Sequence, residues 1–459
     1  MKNFFPSLFS VILLSFLISL TSHATTAEQE LTQMLKNTKG ANTDVVLVYK
    51  DGKVIYQNYA RGYGPNTKHL SWSVGKTISG ILIGIAEAEG LLSLNDPVKK
   101  YFPQFKSSAR IMDLLGMSSG LRFKEVYDGL PVDLDITNMM YSQGVQTGFA
   151  NYAASLPLAP NGPGDYFNYS SGNTNLLMAI LQKAIGSQSV YNKYPWEKFF
   201  NPLGIEATFE QDAHGTFVGA SYIYMKASDF LKVGQLLVNK GFWNGRQIIP
   251  ARYFNLMNTV ADGVQKKVET GNSTTRAYSA QVTTNLPIPG RNLPSEYNDL
   301  PLDALIMIGH QGQIVAASPS QNLVIVKLAM DKKNMNTKMF YAAVKKFIFS
   351  RGFKLETVGT ENNLIEDDQS VDQRSLIGTL FGIPHLLRSF SVKEYCSCRF
   401  VVGRTEAECK TDLKSHFPVL PRLKIQDNIV TATLGLGISK KAQAVYRGKS
   451  LGCWLTQSE

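Results

Sequence analysis

The chain has 459 residues, of which 44% are hydrophobic, 18% charged and 10% aromatic, and it carries a formal net charge of +11. Such a balance excludes a disordered or fibrous polymer, and the length predicts two or three domains or one large catalytic domain of ~300 residues. No basic run is interleaved with aromatics, which sets nucleic acid aside as a partner and leaves a solvated surface or an affinity for anionic envelope polymers or membrane surfaces.

The first 24 residues read as a secretory signal. Lys2 is followed by an apolar run from Leu8 to Leu20, short for a membrane span, and Ser22-His23-Ala24 offers small residues for cleavage after Ala24. An uncleaved anchor is the alternative. No later stretch is long and apolar enough to span a bilayer, so a periplasmic or secreted protein is expected.

Thr43–Tyr49 and Val54–Tyr59 are β-rich runs split by Asp51-Gly52, a strong hairpin signal. Small and apolar residues from Val74 to Ala88, stopped by Gly90, predict a buried helix with Ser73 in its first turn. From about Asp96 to Tyr253, helical segments alternate with Gly/Pro-rich loops. Lys226–Lys240 is the clearest amphipathic helix there, and Gly245–Pro250 reads as a connector. Strands return at Leu305–Ala317 and Leu323–Met330, and a helix is expected over Thr337–Ser350. The pattern predicts an α+β fold, an antiparallel sheet flanked by helices with an inserted helical subdomain.

The chain then turns polar and acidic. Residues 356–374 are read as a linker between a domain over 25–355 and a small module over 375–459. Strands are expected there at Cys396–Gly403, Ile429–Leu436 and Gln443–Arg447. Residues 371–459 carry 13 Lys/Arg against 7 Asp/Glu, much of the basic excess. All four cysteines, Cys396, Cys398, Cys409 and Cys453, lie in this module. Clustered, even-numbered cysteines in an exported chain suggest disulfides. A Cys-x-Cys pair joining a metal site is the alternative, but no histidine sits at ligand spacing beside it.

The chemistry starts at Ser73-Val74-Gly75-Lys76. Residues three apart share a helix face, so an amine stands beside a hydroxyl. Serine needs a base to become a nucleophile, and a buried lysine can be one when neutral. The helix N-terminus adds positive potential for a developing anion. Ser-x-x-Lys alone is weak, with roughly one or two chance matches expected at average composition. The match at Ser73, at the start of an apolar helix, is the only one downstream of the signal.

The motifs that follow give it context. Ser73–Lys76 resembles the first motif of the serine β-lactamase and penicillin-binding-protein superfamily. Leu92–Pro103 and Ile111–Leu121 resemble the segments after the nucleophile helix in its class C branch, which includes esterases, DD-peptidases and 6-aminohexanoate-dimer hydrolases. Pro163–Leu176 resembles the second motif, Ala227–Leu237 with Trp243-Asn244-Gly245 a later helix, and Gly309–Gln313 the third motif. The likeness runs in order over about residues 40 to 350.

The resemblance implies roles. Tyr169 is the second-motif tyrosine, able to act as phenolate base and then as acid to the leaving group. Ser171 stands where class C β-lactamases carry asparagine, as in the 6-aminohexanoate-dimer hydrolase branch. His310-Gln311-Gly312 replaces Lys-Thr-Gly. That removes a fixed charge for a β-lactam carboxylate and leaves His310 as a substrate-side hydrogen bonder, with Gly312 letting substrate approach the strand edge. The backbone N–H groups of Ser73 and Gln313 would form the oxyanion hole. The C-terminal module resembles an accessory segment of some exported class C-like hydrolases, where it precedes the catalytic domain. That pattern pairs Cys396 with Cys453, leaving Cys398–Cys409.

The expected protein is therefore an exported serine hydrolase acting on a small-molecule or peptidic ester or amide, with no metal or cofactor. A β-lactamase or DD-peptidase and a non-catalytic envelope-binding protein are the alternatives, and cell-wall contact through the basic module is a further expectation. A Ser-His-Asp triad using His310 is the rival constellation, though no Gly-x-Ser-x-Gly elbow surrounds Ser73. His69, His214, His385 and His416 are read as structural or surface residues.

Overall fold

A computed structural model describes residues 26–36, 42–125, 134–266, 274–331, 336–359, 376–414, 416–417, 419–434 and 441–456. The signal read at residues 1–24 and most of the linker read at 356–374 lie outside them.

Helix α1 covers residues 26–36. Strands β1 (Thr43–Lys50) and β2 (Lys53–Tyr59) form the expected hairpin, with Asp51 and Gly52 both at positive φ, the pairing a tight primed turn requires. Helix α2 (Val74–Ala88) follows, then α3 (Asp135–Tyr141), α4 (Phe149–Ser155), α5 (Ser171–Ile185) and α6 (Ala227–Val238). The chain returns to sheet in β3 (Ala277–Ser279), β4 (Val282–Thr284), β5 (Leu305–Gly309), β6 (Gln313–Ser318) and β7 (Leu323–Ala329), and closes on α7 (Thr337–Ser350).

These strands form one seven-stranded sheet in the order β2-β1-β7-β6-β5-β4-β3, with every pairing antiparallel. Side chains alternate between two cores, as a period of two demands. Val46, Val48, Ile314 and Ile325 pack with Leu31 of α1 and with Phe340, Val344 and Phe347 of α7. Val45, Leu47, Val315 and Val326 face the other way, into the core that holds Ile78 and Leu82 of α2 and Phe230 and Val233 of α6. Each such buried aliphatic stabilises the fold by roughly 1.5–3 kcal/mol relative to exposure. Helix α2 is buried on nearly all sides, so its small residues are contact surfaces. A Cβ at Gly84 would sit 2.3 Å from the Tyr253 ring.

The C-terminal segment begins with α8 (Leu376–Cys396), continues through wide helical turns over Ser397–Val402 and ends that run at Gly403 in the left-handed region. The strand expected at Cys396–Gly403 is thus helical. Its β-branched valines fit the apolar side of a turn tied down by sulfur bonds at both Cys396 and Cys398. Helix α9 (Glu406–Lys414) leads to an antiparallel meander of β8 (Arg422–Gln426), β9 (Ile429–Thr433), β10 (Ala442–Tyr446) and β11 (Cys453–Leu455). Cys396–Cys453 joins α8 to β11, and Cys398–Cys409 joins the wide turns to α9.

This module does not stand apart. Phe390, Val392, Tyr395, Val430 and Ala444 belong to the same continuous core as Leu70, Trp72 and Tyr141 of the main body. Buried polar contacts seal the junction. Lys393 Nζ lies 2.6 Å from Glu210 Oε2 and 3.6 Å from the Tyr222 ring centroid. Ser397 Oγ and the Cys453 N–H both donate to Glu210 Oε1. The Tyr141 and Tyr222 hydroxyls donate to Glu394, and the Phe209 N–H donates to the Ser450 carbonyl at 2.8 Å.

Candidate active site

Three short strands, Lys68–Leu70, Ile223–Lys226 and Thr208–Phe209, form a small sheet that delivers the chain to α2. The Ser71 N–H donates to the Ile223 carbonyl, and Ser71 Oγ donates to the Ser221 carbonyl. Trp72 then turns into the left-handed region at φ +43°, and Ser73 sits at the N-cap of α2, buried at 9% exposure. A non-glycine residue in that region costs about 1–3 kcal/mol, so its surroundings must hold it there.

Lys76 is buried at 1% exposure, one turn along the helix. Its Nζ donates to Ser171 Oγ at 2.6 Å and lies 4.9 Å from the Tyr169 ring centroid. Burial pulls the Lys76 amine down to about 8 against an upward pull from Glu125. With that value about a tenth of the amine is neutral at pH 7. Ser73, Lys76, Tyr169 and Ser171, distant in sequence, are thus brought to one place.

Glu125 completes the cluster, and nothing in the sequence singled it out. Its side chain is fully buried, 3.9 Å from Lys76 Nζ. Ser171 Oγ donates to Glu125 Oε1 at 2.7 Å and the Ser171 N–H donates to Oε2 at 2.5 Å. The carboxylate therefore caps the first turn of α5, where the helix dipole favours a negative charge. Ser171 bridges the lysine to this carboxylate, a more specific role than substitution for asparagine. Glu125 stands in a loop 46 residues before Ser171, and no local pattern announces it.

The Tyr169 phenol is held up above its ordinary range, first by burial and second by Glu125. The Ser73 hydroxyl and Arg276 oppose that shift without reversing it. Tyr169 therefore rests as a neutral phenol. Of the two expected bases, Lys76 is the one whose burial shifts it toward the basic form.

The third motif forms a tight turn over His310–Gly312 between β5 and β6. Gln311 adopts φ +61° and Gly312 φ +86°. At Gly312 the packing beneath the turn leaves no room for a side chain. A Cβ there would meet Asp331 Oδ2 at 2.3 Å and Lys327 Nζ at 2.6 Å, a buried ion pair beneath the turn. The glycine that permits close approach is Gly309, where a Cβ would sit 2.7 Å from the Ser71 carbonyl oxygen. The Gln313 side chain is locked to Ala329, donating to its carbonyl at 2.5 Å and accepting from its N–H at 3.1 Å. Its backbone remains the part that can serve a substrate.

His310 packs edge-on against Trp72, with ring centroids 5.3 Å apart. Burial, then His416, push its imidazole down to about 3. It is neutral and a poor base near pH 7, which weakens the triad reading. His69 has an aspartate partner, Asp44 at 3.0 Å, but its other nitrogen faces the Leu70 carbonyl at 3.0 Å, so neither nitrogen is left for Ser73. His416, read as structural or surface, reaches the third motif: the Gln311 amide Nε2 is 3.1 Å from His416 Nε2. Among the described residues no group of three or more His, Cys, Asp or Glu side chains is arranged to hold a metal ion.

The seven-stranded sheet, the helical insertion and the Ser73–Lys76–Tyr169 cluster define a protein of the serine β-lactamase and penicillin-binding-protein superfamily. A profile of the beta-lactamase family matches residues 27–344, and the chain belongs to that family. It is 24% identical over 251 residues to a 6-aminohexanoate-dimer hydrolase from Paenarthrobacter ureafaciens, an alignment covering 51% of this chain and 61% of that relative's length. A Bacillus anthracis protein provisionally assigned as a 6-aminohexanoate-dimer hydrolase superposes with a TM-score of 0.56 at 19% identity, over 70% of this chain and 81% of that one. A class C beta-lactamase in complex with cefoxitin gives a TM-score of 0.51 at 19% identity, over 72% of this chain and 99% of that one. At these identities the structural likeness speaks for the fold.

Proposed function

We propose that this chain is an exported serine hydrolase that cleaves an ester or amide through an acyl-enzyme on Ser73. The observation that carries the reading is the buried Lys76 amine, brought down to about 8 and held by Ser171 one turn from the nucleophile. In this mechanism neutral Lys76 takes the Ser73 proton as Oγ attacks the carbonyl. The oxyanion sits against the N–H groups of Ser73 and Gln313, donors of a kind typically worth about 3–4 kcal/mol each. Tyr169 gives its proton to the leaving group, and water resolves the acyl-enzyme. The two disulfides support an oxidising compartment, periplasmic or secreted.

Reaction with a fluorophosphonate followed by peptide mapping tests this reading. A covalent adduct on Ser73 and loss of ester turnover in Ser73→Ala are expected. An adduct elsewhere, or full turnover by Ser73→Ala, would refute it. An adduct on Ser73 would also remove the non-catalytic envelope-binding alternative.

Lactamase activity is the lesser reading within the same chemistry. His310-Gln311-Gly312 occupies the place of the third-motif Lys-Thr-Gly, with His310 held neutral by burial and the Gln311 amide engaged at both ends, by Trp72 and by His416. The lysine beneath the turn, Lys327, is paired with Asp331. No fixed cation is thus presented for a β-lactam carboxylate by these residues. Nitrocefin turnover tests the β-lactamase reading, and release of D-Ala from a muropeptide tests the DD-peptidase reading.

Contact with the cell wall through the basic module is a weaker proposal, because Lys393 and Arg404 are spent on ion pairs with Glu210 and Asp412. Co-sedimentation of the full chain with peptidoglycan at low and high salt checks it. Absence of salt-sensitive binding would remove its basis.

A further inference from the structure

Two non-glycine residues in left-handed backbone flank the proposed oxyanion hole, one on each arm. Trp72, at φ +43°, immediately precedes Ser73. Gln311, at φ +61°, stands two residues before Gln313. The two arms come from opposite ends of the domain, yet their side chains meet: Trp72 Nε1 donates to Gln311 Oε1 at 3.1 Å. Gln311 is itself buried at 4% exposure, so its remaining amide hydrogens need a partner inside the protein. That partner comes from the C-terminal module, where His416 Nε2 lies 3.1 Å from Gln311 Nε2.

The chemistry of this contact is directional. Both Nε2 atoms can carry hydrogen, but the Gln311 amide nitrogen can only donate, so the His416 nitrogen must accept. A neutral imidazole with its proton on Nδ1 meets that need, and burial pushes His416 down to about 4, well into the neutral state at pH 7. The ring is fixed in turn. It packs on Phe390 of α8 with centroids 4.8 Å apart, and the His416 N–H donates to the Leu413 carbonyl at the end of α9. Both helices are held by the disulfides at Cys396, Cys398 and Cys409.

We infer that the C-terminal module is a working part of the hydrolytic centre, with His416 as a positioning residue that braces Gln311 against Trp72 and so sets the spacing of the Ser73 and Gln313 N–H groups. The module's place after the catalytic domain in sequence does not matter to this role, because the fold carries His416 to the third-motif turn. An oxyanion hole acts on the transition state more than on the bound substrate, so the brace governs kcat and leaves KM nearly untouched.

This inference rests on the hydrolase reading above, and the experiment separates their failures. Full-length wild type, His416→Ala, His416→Gln, Gln311→Ala and the His416→Ala/Gln311→Ala double variant are compared for ester turnover and for the rate of fluorophosphonate labelling at Ser73. His416→Ala is expected to lose about tenfold or more in kcat with KM within about twofold. His416→Gln, whose amide oxygen restores an acceptor, is expected to recover most of that loss. The double variant is expected to be no slower than Gln311→Ala, because both changes cut one chain of contacts. Should His416→Ala fail to fold, Gln311→Ala and His416→Gln carry the same comparison. A folded His416→Ala with kcat within twofold of wild type overturns the brace, as does a double variant whose losses multiply, or a Gln311→Ala variant with wild-type kcat. Wild type that is not labelled at Ser73 overturns the hydrolase reading and the brace with it. Labelled wild type with an equally fast His416→Ala overturns the brace alone.

Discussion

Lys76 and Ser171, 95 residues apart in sequence, share a 2.6 Å hydrogen bond inside the protein, and Ser171 passes its own hydrogen to Glu125 at 2.7 Å. The lysine is thereby buried without being isolated. A charged amine desolvated this far is expected to lose its proton more readily, and the nearby carboxylate limits how far that goes.

The first prediction concerns Glu125→Gln. Glu125 raises the Lys76 value against the downward effect of burial. Removing its charge leaves burial unopposed, so the Lys76 value falls below about 8. Activity that needs neutral Lys76 rises with pH through that value, so the acidic limb of kcat/KM moves to lower pH in the variant. A pH profile with a chromogenic ester measures it. A limb that stays in place or moves upward would show that Glu125 does not tune the base.

Tyr169→Phe separates the acid role from the base role. Tyr169 rests as a neutral phenol, its ionisation opposed by burial and by Glu125. Its loss is expected to slow amide cleavage by roughly 10²–10⁴-fold, the range of general acid catalysis. An ester with a good leaving group such as p-nitrophenolate needs little protonation and is expected to lose far less. Equal losses on both substrates would mean that Tyr169 serves the attack rather than the departure.

Stability of the junction rests on Lys393 and Glu210. Both are almost fully buried, and burial alone would raise the Glu210 carboxyl while Lys393 pulls it back. Lys393→Ala leaves that carboxylate buried and unpaired, which is expected to cost about 3–5 kcal/mol. The double change Lys393→Met/Glu210→Met removes both charges and is expected to be milder than the single one. Thermal unfolding checks this, and a double variant as unstable as the single would argue against an unpaired charge as the cause.

Gly312→Ala tests what the third-motif glycine does. The added methyl meets the Lys327–Asp331 pair at a positive φ, so a loss of stability of roughly 2 kcal/mol or more is expected. If Gly312 instead served substrate access, the variant would keep its unfolding temperature and lose only KM. Denaturant unfolding beside Michaelis kinetics tells these apart.

Much of the local structure was legible from residues alone, because short-range rules dictate it. Asp51-Gly52 specified a primed turn, the run Val74–Ala88 ended by Gly90 specified a buried helix, and Thr337–Ser350 is helical over the residues expected. Ser73 and Lys76 form a local Ser-x-x-Lys pattern, and Tyr169 could be named only because the motifs around it resemble, in order along the chain, those of a known family. The strand expected at Cys396–Gly403 was misread because its valines suit a strand locally, whereas two sulfur bonds and a preceding long helix keep it helical. The sequence by itself thus marked the buried helix that follows Ser73 and, through the resemblance, Tyr169 and the segment that turns at His310–Gly312. Tertiary structure alone decided that Glu125 sits behind Ser171, that Gly312 faces an ion pair, and that His416 reaches Gln311. Those relationships join residues 46, 19 and 105 positions apart through contacts with no local signature, so only the packing of the whole chain brings them together. The Ser-x-x-Lys pattern could be read from four residues; the buried surroundings that lower the Lys76 value could not.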